Sequence, residues 1–342
     1  RSKDAARAVL ADFEKQAERI RAGIVTDAEL DTAAQAQTAL AGHIEAYKAH
    51  LQACGCTARH AKDREQQLSR VFDDCGWKRP SELDRTDFEC WLNAREGEGM
   101  SAARRNVYHA ALVAFANWAV QARRLMANPF AGMPKANERA DRRHERRALT
   151  GEEIGKLLDA AQRRPLHQCR FPREGMEKPA ELRAEEVERL QGIGRQRALC
   201  YKTMLLTGLR RNEVASLTVG SVHLDGASPH VTLDAAIEKA RRGAVVPLRG
   251  DLTADMGAYL AERLRAAQRG AERAGAPVPM HLPASLPLFD VPQNLSRVFE
   301  KDRAFAKIPK ADARGFVVDV HALRHTFCAH LSRGGVPLRT AQ

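Results

Sequence analysis

Thr207-Gly208-Leu209-Arg210-Arg211-Asn212-Glu213 is the stretch from which the rest of the chain can be read. The residues before it, Ala198 to Leu206, carry apolar side chains at helical spacing, and Gly208 is the residue type that ends such a helix by turning left-handed. Arg210 therefore falls at a corner, with Glu213 three residues on, where side chains of one helical turn meet. Further along, Val231 to Leu233 and Ala244 to Leu248 are strand-like, and Ile237-Glu238-Lys239-Ala240-Arg241-Arg242-Gly243 sets Lys239 just before a hairpin turn expected around Gly243. A third stretch, His321-Ala322-Leu323-Arg324-His325-Thr326, puts His321 and Arg324 on one helix face. Two arginines, a lysine and a histidine thus stand where they can converge.

Outward from these stretches, Thr150-Gly151-Glu152-Glu153 reads as a capping box opening a helix, and Leu252 to Ala266 returns to helical period. Pro165 to about Gly194 lacks clear apolar periodicity over most of its length and is expected to hold a surface insertion. Helices mixed with a few strands make 150–342 an α+β domain with a small sheet. Residues 131–149 contain Gly132, Pro134 and five arginines between Arg139 and Arg147, and read as a basic interdomain linker. From 43 to 130 four helical segments are expected, with starts marked by Thr57, Asp84 and Ser101, forming an all-α domain. Its last helix is expected to bury a face of Val107, Ala111, Phe115, Trp118, Ala122 and Leu125. Residues 1–42 read as an N-terminal helical appendage of two helices, a possible remnant of an arm domain.

The composition fits this layout. Of 342 residues 44% are hydrophobic and 29% charged, which excludes disordered and low-complexity chains. The longest nearly apolar run, Ala110 to Val120, is interrupted by Asn117 and is too short for a membrane span, so no membrane partner is expected. An odd number of scattered cysteines, seven, points to a reducing compartment, and a cytoplasmic, nucleoid-associated protein is expected. The net charge of +12 favours a polyanionic partner, and residues 151–342 carry 30 basic against 22 acidic side chains. Arg104 and Arg105, in the first turn of a helix where cations are disfavoured without a nearby anion, and Arg142, Arg143, Arg146 and Arg147 in the linker are the candidate DNA-binding residues.

In their order and separations these motifs resemble the tyrosine recombinase family, the phage-type integrases and Xer-like site-specific recombinases, over about residues 43–342. The resemblance implies a mainly α protein with a small antiparallel sheet: an all-α SAM-like core-binding domain at 43–130 and an α+β catalytic domain at 150–342, the two closing around double-stranded DNA. It matches Arg210 and Arg324 to the two catalytic arginines, Lys239 to the hairpin lysine and His321 to the histidine of the His-x-x-Arg box. Glu213 matches the acidic residue supporting the first arginine, and His325 is a supporting residue. The implied reaction is strand cleavage and rejoining through a 3′-phosphotyrosyl intermediate, by a homotetramer on two recombination sites. Guanidinium groups stabilise the charge that builds on the non-bridging oxygens, Lys239 protonates the 5′-oxygen leaving group and His321 assists proton transfer at the nucleophile. No metal or cofactor is implied; His321 and His325 have the spacing of a zinc helix, but Ala322 stands where a zinc protease has Glu.

The nucleophile departs from the family pattern. Tyr47, Tyr108, Tyr201 and Tyr259 all precede the His-x-x-Arg box, whereas the family's tyrosine follows it, so none is matched as nucleophile. The expectation is a recombinase truncated before its tyrosine, which as it stands binds DNA without efficient cleavage. A non-catalytic DNA-binding remnant and a type IB topoisomerase remain as alternatives.

Overall fold

The computed structural model describes residues 3–23, 26–171, 178–234 and 243–336, and the chain divides into two compact units, Arg1–Arg143 and His144–Gln342. In the first unit the described residues form helices α1 (Lys3–Arg21), α2 (Asp27–Gln35), α3 (Leu40–Ala53), α4 (Ala58–Cys75), α5 (Arg85–Gly97) and α6 (Ala102–Gln121), with a 3-10 turn at Pro80–Glu82. Their starts follow local chemistry. The side chains of Thr57, Asp84 and Ser101 each accept a hydrogen bond from the amide three residues on, and Thr26 with Glu29 makes a reciprocal capping box. Each such cap stabilises its helix by about 1 kcal/mol.

The core of this unit is aromatic. Phe115 meets Tyr47 and Phe72 edge-on, each with ring centroids 5.5 Å apart, and Phe88 meets Phe130 edge-on at 5.7 Å. Helix α6 packs against both α4 and α5, so its buried arc is wider than the single face expected. Tyr108, His109 and Leu112 join Ala111, Phe115 and Trp118 inside, whereas Val107 is 37% exposed.

In the second unit α7 (Gly151–Arg170), α8 (Ala184–Thr207) and α9 (Arg211–Ser216) precede strands β1 (Val222–His223), β2 (His230–Leu233) and β3 (Ala244–Pro247), followed by α10 (Gly250–Ala274), α11 (Leu295–Phe305) and α12 (Val320–Arg333). The sheet is antiparallel in the order β1-β2-β3, with Val231 opposite Val246 and Leu233 opposite Ala244. Alternation buries Val231 and Leu233 against the core, which holds Tyr201, Met204, Phe289, Phe299 and Leu323. The fold is thus mostly helical with a small three-stranded sheet among the described residues.

The insertion expected from Pro165 is shorter than the sequence suggests. α7 opens on the Thr150–Glu153 capping box and runs through Pro165 to Arg170, and α8 is already helical at Ala184. Tertiary packing overrides the proline: α7 and α8 lie so close that a Cβ on Gly194 would overlap the carbonyl of Gln162, and Pro165 itself is buried. Gly194 thus allows close helix packing. Behind this contact the fully buried Asp302 of α11 accepts hydrogen bonds from Arg164 Nε (2.5 Å), Arg197 Nη1 (3.2 Å) and Tyr201 Oη (2.8 Å).

Candidate active site

Gly208 ends α8 at φ 68°, and a Cβ there would overlap the ring of Phe327, so both backbone and space demand glycine. The turn it makes delivers Arg210 to the N-cap of α9. There Arg210 Nη1 donates to Glu213 Oε1 at 2.7 Å and the Arg210 amide donates to Oε2 at 2.8 Å. Glu213 is 4% exposed while the Arg210 side chain is 40% exposed, so the carboxylate is an internal anchor that orients an accessible cation. From α12, Arg324 donates through Nη1 to the carbonyl of Gly208. One glycine therefore links the two arginines, the first by its turn and the second by its carbonyl.

Arg210, Glu213 and Arg324 line a single cavity of about 150 Å³, together with Leu233, Ala244 and Val246 of the hairpin. Lys239, with Arg241 and Arg242, lies outside the described residues. The strand ends that flank its segment, Leu233 and Ala244, are on the wall of the arginine cavity. Among the described residues each guanidinium engages a single nitrogen with a protein partner, which leaves most of its five donors for an anion.

His321 and His325 are both exposed, at the first and second turns of α12, flanking half-buried Arg324. Ala322, Leu323 and Thr326 take the inward face of the same helix. Asp319 caps it, accepting from the Ala322 amide at 3.0 Å, and both its oxygens accept from Arg146 Nε at 2.9 Å. Burial pushes the Asp319 carboxyl up, but Arg146, the Ala322 amide and nearby His321 outweigh it and hold it below the usual carboxylate range. Sequence reading passed over Asp319, although an acidic residue three before Ala322 at a helix start is a cap signal.

The arginines read from the sequence as DNA contacts are placed as follows. Arg104 lies over the ring of Tyr108, its Cζ 5.0 Å from the centroid, and donates to the hydroxyl. Arg105 makes a two-pronged pair with Glu96, at 2.8 and 2.6 Å. Arg142 is exposed. Arg143 pairs with Asp141 at 2.6 Å and donates to the Gly99 carbonyl at 2.6 Å. Arg147 is bidentate on Glu153, both bonds 2.6 Å, with side chains only 13% and 18% exposed. Among the described residues no group of three or more His, Cys, Asp or Glu side chains gathers for a metal, and no helix is long and apolar enough to cross a membrane.

The phage integrase family model matches residues 181–342. Among solved structures, a lambda integrase (75–356) dimer bound to a COC′ core site is 16% identical with a TM-score of 0.56, covering 87% of this chain and 91% of that one. A lambda integrase tetramer bound to a Holliday junction is 17% identical with a TM-score of 0.57, covering 95% and 84%. The XerH site-specific recombinase bound to difH substrate, in a pre-cleavage complex, is 14% identical with a TM-score of 0.55, covering 88% and 77%. At these identities the likeness is one of fold. No curated protein sequence matches the chain.

Proposed function

Because its residues 181–342 place the chain in the phage integrase family, the tyrosine recombinases, we propose that this protein cuts and rejoins double-stranded DNA at specific sites. The observation that carries this reading is the pairing of Arg210 and Arg324 through Gly208 on one small cavity. In-line attack on a phosphodiester adds negative charge to the non-bridging oxygens, and two guanidinium groups already held in place stabilise that charge with little reorganisation. Glu213 fixes the orientation of Arg210. Lys239 is assigned the proton for the 5′-oxygen leaving group, His321 assists proton transfer at the nucleophile, and His325 supports the site.

In this reading 43–130 is a SAM-like core-binding domain, 131–149 its basic linker, 150–342 the catalytic domain and 1–42 an appendage. Arg104, Arg105 and Arg142 contribute phosphate contacts, and the protein acts as a homotetramer on two sites in the cytoplasm. The nucleophile is assigned to none of the four tyrosines: Tyr201 is fully buried on Asp302, Tyr47 and Tyr108 are buried, and Tyr259 is hydrogen-bonded to Gln196. The alternative reading is a DNA-binding protein without strand cleavage.

The test is adduct trapping on a nicked suicide DNA with the protein expressed from its own gene. Arg210→Ala and Arg324→Ala are each expected to lower covalent adduct formation by about 10²–10³-fold, while salt-sensitive DNA binding persists. Undiminished adduct formation in either variant overturns the assignment. DNA binding with no adduct from the unsubstituted protein selects the non-catalytic reading.

A further inference from the structure

Residues 145–149 lie in and beside the arginine-rich run that composition assigns to a DNA tether, yet their bonds run inward. The Val317 amide donates to the Glu145 carbonyl at 2.7 Å and the Arg147 amide donates to the Val317 carbonyl at 3.2 Å, a one-bridge parallel pairing of Arg146 with Val317. Arg146 then reaches Asp319 through Nε (2.9 Å) and Nη2 (2.8 Å). Two residues beyond Arg147, the Leu149 amide donates to Thr326 Oγ1 at 2.9 Å, and that buried hydroxyl donates to the Ala322 carbonyl at 2.7 Å. Arg147 meanwhile anchors the same segment to the first turn of α7 through Glu153.

The segment is therefore a strap along the N-terminal half of α12, the half that carries His321 and Arg324. Asp319 is where strap and helix meet. A capping carboxylate bonded only to the Ala322 amide can still turn about its side-chain torsion. A guanidinium fork on both oxygens fixes the carboxylate plane, and with it the direction in which the first helical turn leaves.

We propose that Arg146 and Asp319 are a positioning pair: through the strap they set the first turn of α12, and so where His321 and Arg324 meet the scissile phosphate. This rests on the reading of the cavity as catalytic. Arg146 then acts on the reaction through α12 and not through a DNA phosphate.

Three variants separate these roles in a single-turnover assay at saturating suicide DNA. Arg146→Ala removes the fork, Arg146→Lys keeps the charge but cannot form the fork, and Asp319→Asn keeps the helix cap but removes the ion pair. Each is expected to slow adduct formation about tenfold, with DNA affinity and its salt dependence within about twofold of the parent. The double variant Arg146→Ala/Asp319→Asn is expected to be no slower than the slower single variant, since both remove one interaction. The proposal is overturned if Arg146→Lys reacts at the parent rate, or if Arg146→Ala weakens binding and lowers the salt slope by about one, the signature of a phosphate contact. If the unsubstituted protein forms no adduct, the catalytic reading fails separately. The pair is then read from amide hydrogen exchange in the first turn of α12: equal acceleration by Arg146→Ala and Asp319→Asn supports it, and unchanged exchange overturns it.

Discussion

Around Asp302, Arg164 and Arg197 converge on one carboxylate with Tyr201 closing the other oxygen, and the acid is fully buried. Around Gly208, Arg210 and Arg324 also come together, but one is held by a carboxylate behind it and the other by a backbone carbonyl. Both clusters sit in the C-terminal unit and both bring two arginines together. The difference lies in what the remaining donors face. Arg164 turns its other nitrogens to Gln168 Oε1 (2.8 Å) and the Val298 carbonyl (3.5 Å), so every nitrogen of this buried guanidinium has an acceptor. Arg210 and Arg324 turn theirs toward a small cavity. An arginine's use is therefore set by whether the protein supplies all its acceptors, which neither the residue type nor its spacing records.

Asp302→Ala is the strongest way to break the contrast. It leaves two arginines in a buried setting without their counter-charge, with an expected loss of about 3–5 kcal/mol and a fall in melting temperature of roughly 10 °C. Arg324→Ala tests the other side: the adduct rate falls by about 10²–10³-fold, worth about 2.7–4 kcal/mol of activation free energy, while thermal unfolding shifts by less than about 1 kcal/mol. If Asp302→Ala leaves stability unchanged, or Arg324→Ala lowers it as much, the two clusters are not different in kind. Tyr201→Phe sharpens the picture within the closed cluster. It removes one hydrogen bond to an ionised acceptor and is expected to cost about 1.5–3 kcal/mol in denaturant unfolding.

The smallest effect is in the pH dependence. Arg147, opposed by burial, holds the Glu153 carboxyl below its ordinary range. On acidification the unfolded chain takes up this proton first. The stabilisation is therefore complete above an ordinary carboxylate pKa of about 4 and is lost as pH falls through the lower folded value. Glu153→Gln should flatten the acid-side decline of unfolding free energy by about 1 kcal/mol or less.

Much of this was legible in the chain itself because it is local chemistry. Thr57, Asp84, Ser101 and Thr150 cap helices from side chains three residues away from their partners, and Gly208 ends α8 by its own backbone preference. Where reading failed, the deciding contact came from far along the chain. Pro165 stays helical because α8 packs against α7 at Gly194, and His109 and Leu112 are buried because α4 and α5 both pack on α6. Spacing along the chain also does not show that Arg146 meets an acceptor on Asp319, 173 residues away.

The sequence by itself determined the helix starts, the glycine corner, the Arg210–Glu213 pair and the helical face shared by His321 and Arg324. Each depends on residues within one or two turns, so spacing is enough to specify it. Only the tertiary structure decided that Arg324 reaches the Gly208 carbonyl, that Asp302 closes a second arginine cluster, and that the basic segment at 145–149 straps α12. Those outcomes turn on which acceptor a long, flexible cation meets once the chain has folded, and charge patterning along the sequence does not encode that choice.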